Sequence, residues 1–232
     1  MATTLSRLDE RPDSLAQIVF ERLRAAIIDK TLAPGSTISE VSLARTLDVS
    51  KTPVREAVLR LCDLHLLERD GVRGLKVVSP SKQLITEAYE LRLALESQAV
   101  ALAARRASPD QQEEIRRLAE QTLAACRADD PIQFRKVDVE LHRLMAQSSG
   151  SHLVAEAACN AIDLTDVLRR RDAPMGSVSR RCAHEHVQLA AAIEERRVED
   201  ARALITTHIE TVHQRVLDDF MERTSSAAGD AQ

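Results

Sequence analysis

The sequence predicts a mainly α chain in two parts. The first is a small three-helix unit closed by a strand hairpin. The second is an antiparallel all-α bundle of six or seven helices. Three observations carry this prediction. Of 232 residues only 6 are Gly and 7 are Pro, and aromatic residues make up 2%. Strand-rich folds need aromatic and β-branched side chains and many turns, so a β-sandwich or barrel is excluded. Ala, Leu, Arg and Glu, all strong helix formers, dominate the chain. Apolar residues recur at helical spacing over most of its length. The scarcity of aromatics also excludes single-stranded nucleic-acid recognition by base stacking.

The charge balance narrows the partners. Lys and Arg number 32 against 36 Asp and Glu, a net charge of −4. Any nucleic-acid binding must therefore come from a local patch rather than from bulk charge. No run approaches the ~18 apolar residues of a membrane span, and no membrane partner is expected. The first residues hold no apolar stretch of the secretory-leader kind. Cys62, Cys126, Cys159 and Cys182 lie far apart without a CxxC pair. A reduced, cytoplasmic chain is expected, with all four cysteines as core or surface thiols.

Residues 1–11 read as a flexible N-terminus, and 12–80 as the first domain. From Ser14 to Lys30, Leu15, Ile18, Val19, Leu23, Ala26 and Ile27 make one apolar helix face. Leu32-Ala33-Pro34-Gly35 ends that helix in a turn. Ser39 to Leu47 predicts a short second helix, and Asp48-Val49-Ser50 a tight turn. A third helix follows from Lys51 to Leu61, with Val54, Val58 and Leu61 inward. Pro53 is tolerated in its first turn, and Ser50 or Thr52 can cap it. Leu66–Arg69 and Leu75–Val78 read as two strands, with Asp70-Gly71-Val72-Arg73-Gly74 as the hairpin tip.

Three helices, a short inter-helix turn and a terminal hairpin make a winged helix-turn-helix. In that fold the second helix of the pair enters the major groove with its first turn against base edges and phosphates. That turn carries Ser50, Lys51, Thr52 and Arg55, with Arg45 nearby, and the wing tip offers Gly71, Arg73 and Lys76. These are the candidate DNA contacts. Residues 51–76 hold six basic side chains (Lys51, Arg55, Arg60, Arg69, Arg73, Lys76) against four acidic ones (Glu56, Asp63, Glu68, Asp70). The excess is small, so a dimer is needed for useful affinity. The bland alternative for Arg55 is an ion pair with Glu56 or Glu40.

The run TLAPGSTISEVSLARTLDVSKTPVREAVLRLCDLHLL, from Thr31 to Leu67, resembles the DNA-binding domain of the GntR family of bacterial transcription regulators. The dense part of the match runs from Pro34 to Leu67. Three residues depart from the family pattern. Lys51 stands where Arg is usual, which turns a bidentate fork into a point charge. Thr31 and His65 stand where Gly is usual. His65 at a positive φ would carry strain of order 1 kcal/mol.

Residues 81–223 read as a second, all-helical domain and 224–232 as a flexible tail. Six helical segments are predicted: 82–106, 110–128, 131–148, 151–171, 178–196 and 198–223. Breaks fall at Ser108-Pro109, Asp130-Pro131, Ser149-Gly150, Pro174-Met175-Gly176 and near Arg197. Long helices with short loops suggest an antiparallel bundle. Acidic residues outnumber basic ones here, so this half is not a DNA surface.

Four residues in the bundle stand out. Asp138 and His142 are spaced i, i+4 on a stripe with Phe134 and Met145. His186 shares a stripe with Cys182, Ala183, Ala190 and Ile193. His208 lies with Ala201, Leu204, Ile205 and Val212. Two readings are open. Each can be a satisfied core residue, or the four can converge on one metal ion, since imidazole and carboxylate suit zinc, nickel, copper, iron or cobalt.

The second half resembles the helical FCD effector domain that accompanies this winged helix in the FadR-type subfamily. Its length is that of the smaller, VanR-like variant. Metal-binding members carry Asp-x3-His, a His within E-H, and a further His about 22 residues on. The resemblance implies Asp138, His142, His186 and His208 as ligands of one divalent ion per chain, with zinc favoured over nickel or manganese. It also implies a small carboxylate or hydroxy-acid effector at or beside the ion. Tyr89-Glu90-Leu91-Arg92-x3-Glu96 matches the domain's opening pattern, so Arg92 becomes the candidate effector clamp. Its bland alternative is an Arg92–Glu96 pair. His152, His184 and His213 fall outside the set.

These readings converge on a non-enzymatic, homodimeric repressor that binds an inverted-repeat operator in double-stranded DNA. Two rivals stand beside it. Three His and one Asp around an ion can activate water, which suits a hydrolase or lyase. No nucleophile–base pair accompanies them, however. The other rival is a constitutive DNA binder with a purely structural metal.

Overall fold

The computed structural model describes residues 15–71, 74–172 and 180–229. The chain divides into two compact units, residues 1–79 and 80–232. Among the described residues no helix is long and apolar enough to cross a membrane.

The first unit runs α1 (Leu15–Ile28), β1 (Thr37–Ile38), α2 (Glu40–Leu47), α3 (Lys51–Asp63), β2 (Leu67–Asp70) and β3 (Gly74–Val77). Its core forms where α1 crosses α3. Val19, Phe20, Leu23 and Ile27 bury against Val54, Ala57, Val58 and Leu61. Ser39 and Ser42 form a reciprocal capping box at the start of α2. Asp48, at φ 52, ends that helix in the left-handed region. The turn into α3 is thus set at its α2 end. Ser50 occupies the N-cap of α3, but its side chain makes no capping hydrogen bond. Of the two expected caps, Ser50 or Thr52, the Ser50 cap is therefore not made.

The wing differs from expectation in detail. It has three strands rather than two, in the antiparallel order β1–β3–β2. A two-residue strand such as β1 shows no periodicity. It is held instead by backbone pairing, with Val77 N–H donating to Ser36 O at 3.0 Å and Gly35 N–H to Val77 O at 2.8 Å. Asp70 pairs with Gly74, so the tip narrows to residues 71–73, and Val72 and Arg73 lie outside the described residues. A Cβ at Gly74 would sit 2.3 Å from the Asp70 carbonyl oxygen, so this close approach admits only glycine.

The second unit runs α4 (Lys82–Arg106), α5 (Pro109–Arg127), α6 (Pro131–Gln147), α7 (His152–Asp172), α8 (Arg180–Glu194) and α9 (Val198–Gly229). Ser81, Ser108 and Asp130 accept backbone N–H groups at the starts of α4, α5 and α6. Pro109 and Pro131 open their helices, where the missing N–H costs nothing. Helix α4 packs against α6, α7, α8 and α9, and α5 against α6 and α8. The C-terminal helix runs to Gly229, past the expected boundary at 223. Thr224, Ser225 and Ser226 fall in the expected flexible tail. Their hydroxyls donate back to carbonyls of Phe220, Met221 and Glu222 and so sit within the helix.

Candidate metal centre and nucleic-acid interface

The bundle interior is polar at one place. Asp138 and His142 on α6, His186 on α8 and His208 on α9 are between 0 and 3% exposed. Asp138 Oδ1 lies 3.3 Å from His186 Nε2 and 3.8 Å from His142 Nε2. The three imidazole centroids are 4.8 to 5.4 Å apart. All four residues singled out in the sequence therefore meet at one point.

Their neighbours fix which nitrogen faces inward. Glu96 Oε2 lies 2.5 Å from His142 Nδ1, and Glu185 Oε2 lies 2.9 Å from His208 Nδ1. A carboxylate only accepts, so both Nδ1 atoms carry the proton. Thr122 donates its hydroxyl to Ala119 O at 2.8 Å, which leaves its oxygen to accept from His186 Nδ1 at 3.1 Å. His142 and His186 thus turn Nε2 toward Asp138, and His208 is left with Nε2 as its lone-pair nitrogen. Such outer partners orient metal-binding imidazoles and raise their basicity. His142 Nε2 is buried with no hydrogen-bond partner. An orphaned lone pair beside a buried carboxylate is costly unless a cation fills the space. The residues present fit a divalent ion.

Electrostatics favour the ligating forms. Burial opposes ionisation of Glu96, but Arg92 and His142 hold its carboxyl at about 2. Burial likewise works against the Asp138 carboxylate, yet Arg169, His142 and His186 keep it far below the usual carboxylate range. Arg169 Nη1 donates to Asp138 Oδ2 at 3.1 Å. Burial, then the neighbouring His208, pushes the His186 imidazole well below its ordinary value. Burial lowers His208 too, against the pull of Glu185.

A fifth group stands at this centre. Cys182, on α8, places its Sγ 3.9 Å from His186 Nε2 and 4.0 Å from His208 Nδ1. Asp138, Cys182, His186 and His208 each offer a donor atom within 4.8 Å of the others. The core position of Cys182 matches expectation; its place in the donor set was missed. Its i−4 spacing from His186 was the available signal. Glu96, Thr122, Arg169 and Glu185 were also missed as ligand holders. Only Glu185, within HEH, lies beside a ligand in sequence.

Arg92 is buried. Its Nε donates to Glu96, and its Nη1 to Thr165 at 3.4 Å. The pair expected as its bland alternative is present. Of the excluded histidines, His184 and His152 are exposed, and His213 stacks on Tyr89 with centroids 5.0 Å apart.

In the first unit, Arg45, Ser50, Lys51, Thr52, Arg55 and Gly71 are all exposed. Lys51, Arg55 and Arg69 line a hollow of about 550 Å³ together with Ser39, Glu40 and Gly74. Among the described residues Arg55 forms no ion pair, although Glu40 shares the hollow. Lys76 is drawn to Glu68 across the strands at 3.4 Å. Arg60 turns the other way, over the Phe20 ring at 3.9 Å, and donates to Gln17. His65 sits at φ 52, as its place in the motif required.

Known proteins share both units. Residues 15–77 match the family described as bacterial regulatory proteins, gntR family, and residues 87–211 match the FCD domain. The Nta operon transcriptional regulator of Aminobacter aminovorans is 31% identical over 80% of this chain and 86% of its own. The HTH-type transcriptional repressor RspR of Escherichia coli K12 is 23% identical over 86% of this chain and 88% of its own. Among solved structures, E. coli McbR/YncC superposes with a TM-score of 0.74 at 23% identity, over 90% of this chain and all of that one. These relatives are regulators, not enzymes. The chain therefore belongs to the GntR family of DNA-binding transcription regulators.

Proposed function

We propose that the protein is a homodimeric repressor whose hold on an inverted-repeat operator is set by a small organic acid. The exposed start of α3 carries the operator reading. Lys51, Thr52 and Arg55 project there beside an uncapped Ser50 hydroxyl, and the helix N-terminus adds partial positive charge for phosphate. Arg45, Gly71 and Arg73 would extend the contact to flanking backbone. The local charge excess is small, so two heads on two half-sites supply the affinity.

Asp138, His142, His186 and His208 would hold one divalent ion, with zinc the best match to imidazole and carboxylate donors. When bound, such an ion supplies a Lewis-acidic charge able to attract a carboxylate or hydroxy acid. Arg92 would meet that acid through Nη2, because Nε and Nη1 are turned to Glu96 and Thr165. The acid acts as a switch only if it binds one arrangement of the helices better than another.

Selection of genomic DNA by the purified protein, followed by sequencing, tests the first claim. An enriched inverted repeat is expected. Its affinity is then measured with and without a panel of carboxylic acids, and no change with any of them would remove the effector. The Arg92–Glu96 pair favours one second reading, in which Arg92 only supports the site and the ion is structural. That reading predicts DNA affinity insensitive to every small acid.

A further inference from the structure

The donor set at the bundle centre holds more than the four residues with nitrogen and oxygen donors. Zinc bonds of ~2.0 Å to N or O and ~2.3 Å to S set tetrahedral N···O edges at ~3.3 Å and S···N edges at ~3.6 Å. The 3.3 Å between Asp138 Oδ1 and His186 Nε2 matches such an edge. The 3.9 Å between Cys182 Sγ and His186 Nε2 is a few tenths of an ångström long. His142 Nε2 misses its own edge to Asp138, at 3.8 Å, by a similar margin. By distance, Cys182 is as close to ligation as His142. The buried, unpartnered Nε2 of His142 independently marks this centre as one that needs a cation.

Charge points the same way. Arg92 pairs with Glu96, and Arg169 with Asp138. A divalent ion therefore enters a buried site with little anionic charge to spare, and burying uncompensated charge is expensive. A thiolate supplies a further negative charge at the ion.

We infer that Cys182 ligates the ion through sulfur, so that Asp138, His186, His208 and Cys182 form the tight set and His142 a further donor. This rests on the metal reading above. Coordination breaks the S–H bond, forms a sulfur–metal bond and releases the proton to solvent, with no change of oxidation state. The consequence is selectivity for ions that accept sulfur, zinc and cobalt, over manganese.

Cobalt(II) reports sulfur ligation directly. The full-length chain is stripped of metal under reducing conditions and titrated with cobalt(II), with uptake counted by equilibrium dialysis. We expect sulfur-to-cobalt charge-transfer absorption in the near-ultraviolet alongside visible ligand-field bands. Cys182→Ser should lose the near-ultraviolet band, while Cys126→Ser, at a buried cysteine on α5, should keep it. Bound cobalt with visible bands alone in the wild type would remove Cys182 and leave the metal site standing. A near-ultraviolet band that survives in Cys182→Ser would also overturn the inference. Failure to take up cobalt at all would remove both the site and the thiolate. X-ray absorption of the zinc-loaded wild type needs no variant. A sulfur shell at ~2.3 Å is expected, and an all-N/O shell would overturn the assignment.

Discussion

Arg55, the fifth residue of α3, stands exposed near the helix start, and its fork suits a guanine edge or a pair of phosphate oxygens. Replacing it by alanine removes no buried contact. Arg55→Ala should therefore weaken operator binding by about 1–3 kcal/mol, roughly 5- to 150-fold, with unfolding unchanged. Fluorescence anisotropy with a labelled operator measures this. Lys51→Ala should instead weaken all DNA alike and lower the salt slope by about 1. His65 makes the opposite case, a residue whose backbone is strained for the sake of a turn. Its N–H closes on Cys62 O at 2.9 Å, and Leu66 N–H on Leu61 O at 2.9 Å, with His65 left-handed between them. His65→Gly should stabilise this turn by about 1 kcal/mol, less the added entropy of the unfolded chain. His65→Val should destabilise it. Hydrogen exchange of the His65 and Leu66 amides in the full chain distinguishes the two, and slower exchange in the valine variant would contradict the strain argument.

Between elements, the decisive contacts join residues far apart in sequence. Glu96 on α4 holds His142 on α6, and Arg92, one turn before Glu96, holds Glu96 in turn. Glu96→Gln keeps an acceptor for His142 but strips Arg92 of its counter-charge. It should lower metal affinity about 10- to 100-fold, the usual cost of losing an outer partner. Competition with a chromophoric chelator reads that change, and unchanged affinity would mean that α4 does not support the site. The same contacts show what was legible in the sequence. The helices were, because apolar spacing and the breaks at Ser108-Pro109 and Asp130-Pro131 are local signals. The convergence of Asp138, His142, His186 and His208 was legible once their spacing was set beside the FCD pattern, while their ligation of an ion is the proposal above. Strand β1 was not, since pairing to β3 rather than its own two residues creates it. Nor was the role of Thr122 on α5, whose hydroxyl reaches His186 across 64 residues of chain. No periodicity encodes such a pair.

Each unit has its own core, and among the described residues the buried histidine–aspartate centre belongs to the second unit. An ion that binds only the folded bundle stabilises that unit by mass action, by about 2.7 kcal/mol when present at a hundred times its dissociation constant. The winged helix gains nothing directly, because its core is built from α1 and α3 and holds none of the ligands. Calorimetry of the full chain with zinc, and again after chelation, should thus show a zinc-dependent rise in the unfolding temperature of residues 80–232. His186→Ala should abolish that rise, and Arg55→Ala should leave it intact. Operator affinity in the same two states then separates the possible roles of the metal. If chelation lowers bundle stability and leaves operator affinity unchanged, the ion is a structural staple and the regulator acts without it. If chelation changes both, the ion is coupled to the DNA heads. That coupling must then be reciprocal, so saturating operator should alter zinc affinity by the same factor.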